Sequence, residues 1–224
     1  MTFKLIQLHN LPIYEQLLLE EHLLRHENEN YIVVNSGSTP AIVLGISGKA
    51  PELVHLDKLP SSIPLIRRFS GGGTVIVDEE TVFVTFICNK SLHDFAPYPE
   101  PILRWAASML QPSIPGLQLR DNDFIIGERK CGGNALYIKK DRWLVHTSFL
   151  WNYTPGRMQL LKHPPKTPPY RAGRSHEDFL CRLSHFLPHK ESWIEEMIQS
   201  FNAVPSSFPK VEPSESFSTK FAIN

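Results

Sequence analysis

Apolar and polar residues alternate along the chain in two patterns, one typical of strands and the other typical of helices. Short continuous apolar runs predict buried strands at residues 5–8, 31–34, 41–45 and 81–88. Residues 12–27 carry apolar side chains three and four positions apart, which predicts an amphipathic helix. Its polar side would hold Glu20, Glu21 and Arg25. Pro12 would begin the helix, because proline loses no hydrogen bond in a first turn.

The second half of the chain continues this alternation of helices and strands. We expect helices at residues 102–110, 176–186 and 191–201, a weak helix beginning within 155–162, and strands at 117–119, 123–128, 129–137 and 143–151. The last two strands flank residues 139–142 and are typical of a hairpin. The proline-rich residues 91–101 and 163–174 predict loops. Residues 205–224 are rich in serine and proline, which predicts an irregular tail.

Residues 67–78, RRFSGGGTVIVD, connect an apolar run at 63–66 to a second run at 74–77. Both runs predict strands, so three glycines lie in the connection, where they allow positive φ and close approach of a ligand. Inward-facing N–H groups with Arg67 and Arg68 would suit a phosphate or another anion. The alternative is a glycine-rich hairpin with surface arginines. The stretch is not a P-loop, because no Gly-Lys-Ser/Thr follows the glycines. It is not a dinucleotide-binding fingerprint either, because a predicted strand follows in place of a helix.

Two later stretches also carry candidate chemistry. In residues 121–135, DNDFIIGERKCGGNA, Lys130 precedes two glycines and could reach a carboxylate or a phosphate as a point charge. Asp123 could hold Mg²⁺ through one oxygen, since phosphate-bound magnesium needs few protein ligands. A solvated lysine and an exposed loop acid are the alternatives for these two residues. The other stretch is residues 146–151, HTSFLW, and it begins with His146. A single histidine on a strand is more often structural than catalytic.

Composition and charge narrow the class of protein. The chain has 224 residues and is 42% hydrophobic and 21% charged, which predicts one globular domain. Its net charge is zero, so the chain as a whole has no basic field that would attract nucleic acid. No apolar run approaches the roughly 20 residues of a membrane span, and the first residues match no signal or transit peptide. Cys88, Cys131 and Cys181 show no zinc or disulfide spacing, which favours a reduced, cytoplasmic location.

Taken together, the three stretches resemble the lipoate–protein ligase A family. The order Arg-Arg-x-Ser-Gly-Gly-Gly-x-Val-x-x-Asp, Asn-Asp, Arg-Lys-x-x-Gly-x-Ala and His-x-x-x-Leu runs from about residue 63 to 152. The resemblance implies an α+β fold in which helices flank a mixed, mostly antiparallel sheet. It also implies that ATP and lipoate, or octanoate, form an acyl adenylate. The acyl group then passes to a lysine of a lipoyl carrier domain, in a 2-oxoacid dehydrogenase complex or a glycine cleavage H protein.

The resemblance also assigns roles to residues. Lys130 would stabilise the acyl-phosphate junction as the catalytic residue, and Asp123 would lie near the adenylate or its Mg²⁺. The implied substrate-binding and adenylate-binding residues are Arg68, Ser70, Gly71, Gly72, Gly73, Thr74, Val75, Ile76, Val77, Asp123, Gly133, Ala135 and His146. The catalytic domain would span residues 1–204, without a C-terminal accessory domain, a role that a partner protein could supply.

Several positions depart from the family pattern and leave alternatives open. Val77 stands where the family usually has histidine, and Phe69 replaces a frequent basic residue. One alternative is a transferase that moves octanoyl or lipoyl groups between carriers without ATP. Residues 116–120 contain no cysteine for the thiol route of some relatives, and Cys131 is better interpreted as a small core residue. A non-catalytic binder of a lipoyl ligand is a second possibility. A biotin ligase is a third possibility, but the Arg-Arg-x-Ser-Gly-Gly-Gly form of the motif favours lipoate as the substrate.

Overall fold

The computed structural model describes residues 2–208, 210–214 and 216–222. Its strands are β1 (Lys4–His9), β2 (Tyr31–Ser36), β3 (Ala41–Leu44), β4 (Leu65–Arg67), β5 (Val75–Val77), β6 (Thr81–Asn89), β7 (Leu117–Arg120), β8 (Asp123–Ile126), β9 (Arg129–Ile138), β10 (Arg142–Leu150), β11 (Val204–Pro205) and β12 (Lys220–Phe221). Its helices are α1 (Ile13–His26), α2 (Ala50–Leu53), α3 (Pro99–Leu110), α4 (Pro155–Met158), α5 (His176–Phe179) and α6 (Lys190–Ser200). None of these helices has both the length and the apolar composition needed to cross a bilayer.

The strands form two sheets. Eight strands lie in the order β11-β1-β2-β6-β10-β9-β8-β7, and four lie in the order β12-β4-β3-β5. In the large sheet β11, β1 and β2 run parallel, which requires a crossover such as α1, whereas the pairs from β2–β6 onward are antiparallel. The small sheet pairs β3 with β4 in parallel and β3 with β5 antiparallel. The predicted α+β fold with a mixed, mostly antiparallel sheet and flanking helices is confirmed.

Hydrophobic cores lie on both faces of the large sheet. On one face, α3 and α6 pack against Phe86, Phe149 and Trp143 through buried side chains such as Leu103 and Trp193. On the other face, α1 lies between the two sheets. Its leucines contact the large sheet, and its first turns contact the inner side of the small sheet. Helix α1 therefore has protein on both sides along most of its length.

This position of α1 corrects the prediction for its polar side. Glu20 and Glu21, expected to face solvent, have no exposed area. Glu20 faces the large sheet, where Thr85 donates a hydrogen bond to it at 2.7 Å. Glu21 faces the C-terminal tail and accepts hydrogen bonds from the main-chain N–H groups of Ser218 and Thr219. The periodicity of one helix shows where apolar residues repeat, but it does not show that a second layer covers the polar face.

Several predicted boundaries are also wrong. Helix α3 begins at Pro99, within the predicted loop, because proline is well tolerated in a first turn. The helix predicted at 176–186 stops at Phe179, since Leu180 forms a β-bridge with Lys130. The tail is not irregular throughout: Val204–Pro205 pairs with β1, and Lys220–Phe221 pairs with β4. Residues 209, 215, 223 and 224 of the predicted tail lie outside the described residues.

Candidate active site

A cavity of about 670 Å³ opens between the glycine-rich loop and the β8–β9 hairpin. The loop residues Gly71–Thr74 form one wall, and Asp123, Lys130 and Gly133 form another. Residues 158–180, named here the cover segment, supply much of the remaining wall. A smaller recess of about 70 Å³ shares Lys130 and Gly133 with the cavity and extends toward α1, between Leu17, Val77 and His146. The site therefore joins both sheets to a segment far along the chain.

The glycine loop lies against β9 because Gly72 has no side chain. Gly72 has φ of +119°, and a Cβ there would lie 2.6 Å from a guanidinium nitrogen of Arg68 and 2.9 Å from the Asn134 carbonyl oxygen. The N–H of Gly71 donates to the Leu136 carbonyl oxygen at 3.1 Å. Only glycine combines this positive φ with such a close approach, so the local conformation explains the residue type.

The two arginines before the glycines have different roles from the paired anion grip that was predicted. Arg67 turns away from the cavity and donates to the main-chain carbonyl oxygens of residues 45, 46 and 48. Arg68 is buried and donates to the carbonyl oxygens of Gly71, at 3.2 Å, and Gly73, at 2.8 Å. Burial lowers the pKa of Arg68 to about 10, against the opposing effect of Glu20. Arg68 thus braces the glycine loop and also lines the recess.

Lys130 reaches the cavity because β9 contains a β-bulge. Phe124 pairs with Gly132 and Ile125 pairs with Lys130, which leaves Cys131 as the extra residue. The bulge places Lys130 on the same face as Gly133, although residues three apart on a regular strand face opposite sides. The lysine then crosses Gly133, where a Cβ would lie 3.3 Å from its Nζ. Its Nζ lies 2.7 Å from Oδ1 of Asp123.

Asp123 is engaged through both carboxylate oxygens. Oδ1 pairs with Lys130, and Oδ2 accepts a hydrogen bond from the Tyr170 hydroxyl at 2.9 Å. Within residues 2–208, 210–214 and 216–222, no group of three or more His, Cys, Asp or Glu side chains is arranged to hold a metal ion. Both oxygens of Asp123 therefore have protein partners, so the carboxylate orients the lysine, and the assignment of Mg²⁺ to Asp123 stays a prediction.

His146 lines the recess and is hydrogen-bonded to the buried carboxylate of Glu20. Its Nδ1 lies 2.9 Å from Oε1 and 3.0 Å from Oε2 of Glu20. The same carboxylate accepts hydrogen bonds from Gln16, at 2.8 Å, and Thr85, at 2.7 Å. These contacts fix the Glu20 carboxylate and, through it, the position of the His146 ring. Sequence reasoning missed Glu20, Gln16 and Thr85, because these residues carry no motif and come together only through packing.

The cover segment also contributes residues that the sequence did not indicate. Arg171, His176 and Phe179 line the cavity, and Tyr170 contacts it through Asp123. Burial, with the nearby charge of Arg171 as the next cause, lowers the pKa of His176 to about 4. The only signal available in advance was a cluster of cationic residues in a proline-rich loop.

Among the described residues, no cysteine lines the cavity or the recess. Cys88, Cys131 and Cys181 are free and buried. A hydrogen bond with the Cys181 thiol and burial raise the pKa of Cys131 well above its usual range. A neutral thiol in the core agrees with the interpretation of Cys131 as a small core residue.

Most of the predicted site residues come together. The cavity and the recess are lined by Arg68, Gly71, Gly72, Gly73, Thr74, Val75, Ile76, Val77, Asp123, Lys130, Gly133, Ala135 and His146. Ser70 is the exception, because it is buried beneath the loop and lines neither space. The hydroxyls of Ser70 and Thr74 are buried without a hydrogen-bond partner among the described residues. Phe69, in place of a basic residue, packs in the core against Tyr137.

Comparison with known proteins gives a consistent result. A family model described as the lipoyl protein ligase A/B catalytic domain matches residues 12–204. An inactive lipoate–protein ligase 2 of Plasmodium falciparum is 24% identical, with coverage of 75% of this chain and 60% of that protein. Lipoate–protein ligase 1 of Staphylococcus aureus is 29% identical, with coverage of 61% of this chain and 42% of that protein. The chain thus spans about half the length of these curated relatives.

A solved structure extends the likeness to the fold. A lipoate–protein ligase A bound with ATP superimposes with a TM-score of 0.75 at 19% identity, covering 92% of this chain and 90% of that one. At this identity the superposition supports the common architecture alone.

Proposed function

The chain belongs to the lipoyl protein ligase A/B catalytic domain family, and we propose that it activates lipoate or octanoate with ATP and transfers the acyl group to a lysine of a lipoyl carrier domain. The observation that carries the proposal is the position of Lys130. Its ammonium group crosses Gly133, pairs with Asp123 and borders the cavity formed with the glycine loop.

The proposed first step is formation of an acyl adenylate. A carboxylate oxygen of the acid attacks the α-phosphorus of ATP, a new P–O bond forms, and pyrophosphate leaves. Lys130 stabilises the negative charge that develops at the acyl–phosphate junction. In the second step the amine of the carrier lysine attacks the acyl carbonyl carbon, an amide bond forms, and AMP leaves. Both steps need a site that excludes water, because the mixed anhydride hydrolyses.

The cavity and the recess suit the two parts of such an intermediate. Leu17, Val43 and Val77 form an apolar part of the recess beside the polar side chains of Arg68 and His146, and this part would take the end of an acyl chain. The larger cavity, with Lys130, Arg171 and Lys166 at its border, would take the nucleotide. A lipoate–protein ligase A of the same fold was solved with ATP, which supports ATP as a ligand of this chain. Any Mg²⁺ would arrive with the ATP phosphates, since phosphate-bound magnesium needs few protein ligands.

The test uses purified protein, ATP, magnesium, an apo carrier domain and, separately, lipoate, octanoate or biotin. We expect pyrophosphate release and a mass increase of the carrier with lipoate or octanoate. A transferase would instead modify the carrier from an acylated donor protein, with no nucleotide and no pyrophosphate. A non-catalytic binder would modify no carrier under either condition. Each of these two results would overturn the ligase proposal.

A further inference from the structure

We propose that Tyr170 is a positioning residue for Lys130, that it acts through the carboxylate of Asp123, and that it couples the cover segment to the reacting centre. The proposal rests on the function proposed above, in which Lys130 stabilises charge on the acyl phosphate. Tyr170 itself does not need to touch substrate for this role.

The argument begins with the two oxygens of Asp123. Oδ1 lies 2.7 Å from Lys130 Nζ, and Oδ2 accepts the Tyr170 hydroxyl at 2.9 Å. A carboxylate with one partner can rotate about its Cβ–Cγ bond and carry that partner with it. A carboxylate fixed at both oxygens cannot rotate without breaking a hydrogen bond, so Tyr170 limits where the lysine ammonium can lie.

Tyr170 is itself fixed by its surroundings. It lies in a single 3₁₀ turn, Pro169–Arg171, whose proline restricts the backbone. Its ring packs against Phe179 at 5.0 Å between ring centroids, and the Arg120 guanidinium lies 5.1 Å from its centre. Its carbonyl oxygen accepts from Arg174 at 2.7 Å. The hydroxyl therefore meets Asp123 from a defined position.

The hydroxyl also keeps its proton. Burial and, next, the negative charge of Asp123 raise the pKa of Tyr170 far above neutral pH. Because the phenol stays protonated, it can donate to the carboxylate at every pH at which the protein would work. The contact is thus a constant support for the ion pair and does not act as a switch.

The cover segment and the residue after it contact Lys130 at two points. The side-chain route runs from Tyr170 through Asp123 to the ammonium group. The main-chain route is the hydrogen bond from the Cys181 N–H to the Lys130 carbonyl oxygen at 2.8 Å, next to the bridge between Leu180 and Lys130. A displacement of this segment would therefore move both ends of the lysine, which links closure over the cavity to the position of its charge.

A double-mutant cycle on carrier acylation tests the positioning role. We expect Tyr170→Phe to lower kcat about 10- to 100-fold, the range for losing a hydrogen bond to a charged group, with little change in KM. In an Asp123→Ala background the same substitution should change kcat less than about twofold, because its target is gone. Tyr153→Phe is the matched control, because Tyr153 and Tyr170 are buried in one hydrophobic cluster with Phe179 and Leu180, and the Tyr153 hydroxyl makes no hydrogen bond within the described residues.

Three results would overturn the proposal: an equal fractional loss of kcat in both backgrounds, a change in KM alone, or an equal loss of kcat in the Tyr153 control.

Hydrogen exchange of the free chain gives a readout that needs no activity. Tyr170→Phe should speed amide exchange in residues 123–133 as well as 163–180. If the wild-type chain acylates no carrier, the proposed function fails, and exchange decides the coupling alone. Unchanged exchange in 123–133 would then overturn it.

Discussion

The position of one charged atom, Lys130 Nζ, depends on two features of β9. Gly133 has no Cβ to obstruct the lysine, and the bulge at Cys131 turns the lysine toward Gly133. The motif made the residue types predictable, but the reason for them becomes visible only in the strand pairing. Sequence reasoning could not find Glu20 or Tyr170, whose partners His146 and Asp123 lie 126 and 47 residues away along the chain.

Removal of the Lys130 charge should stop acyl transfer without unfolding the chain. Loss of one electrostatic donor of this kind costs about 10²–10³ in rate, so we expect that decrease in kcat for Lys130→Ala. Lys140→Ala, at an exposed position in the β9–β10 turn, should keep wild-type activity. Circular dichroism checks the fold of both variants. Wild-type turnover in a folded Lys130→Ala protein would exclude the catalytic assignment.

Gly72 should tolerate substitution least among the loop glycines. Gly72→Val places a branched side chain at φ of +119°, against the Asn134 carbonyl oxygen. We expect a loss of roughly 1–3 kcal/mol of stability and no measurable binding of acyl adenylate by calorimetry. Gly127→Val is the control, since Gly127 also has positive φ, of +59°, but a Cβ there would meet no atom within 4 Å. Parent-like ligand affinity in the Gly72 variant would mean that the loop is only a hairpin.

At the scale of the elements, most strands and the β9–β10 hairpin were predictable, but the pairing of strands distant in sequence was not. Strands β2 and β3 follow each other along the chain, yet they lie in different sheets. Local periodicity records which residues are buried, whereas pairing depends on long-range contacts. The same limit applies to β12, which joins the small sheet beside β4, the strand that leads into the glycine loop.

The contact between α1 and the tail should stabilise this part of the small sheet. Glu21 accepts from the N–H groups of Ser218 at 2.8 Å and Thr219 at 3.0 Å. Glu21→Ala leaves these donors without their acceptor, and we expect a loss of roughly 1–3 kcal/mol in urea unfolding. The variant should also be cleaved faster by protease near residue 218. Glu15→Ala, at an exposed position of the same helix, should change neither measurement.

The cover segment should loosen as the pH falls. His176 is partly buried, and its pKa is lowered to about 4, so between pH 4 and about 6.5 the unfolded chain binds a proton that the folded chain does not. Stability therefore decreases as the pH drops through this window. We expect His176→Asn to show a flatter dependence of the urea midpoint between pH 7 and 4.5. His185→Asn, at an exposed histidine, should retain the parent slope, and identical slopes in all three proteins would contradict the assignment.

At the scale of the whole molecule, most of the wall of the candidate site comes from three regions that are distant in sequence. Residues 68–77 come from the small sheet and its glycine loop, residues 123–135 from the large sheet, and residues 158–180 from the cover segment. The first two regions carry the motifs and could be predicted. The third could not, because its contribution depends on where a long, proline-rich connection folds back. A ligand in the cavity would therefore contact all three regions together.

This arrangement predicts how the chain responds to a non-hydrolysable analogue of lipoyl adenylate. At a concentration about 100 times its Kd, the analogue should add roughly 2.7 kcal/mol of stability, or about 5–10 °C in Tm. Hydrogen exchange should slow in residues 68–77, 123–135 and 158–180 together, because the ligand bridges the regions. Lipoamide, which lacks the nucleotide, should protect the recess near His146 and leave the cover segment unprotected. Equal protection by both compounds would mean that the cavity does not recognise the nucleotide and would favour a transferase.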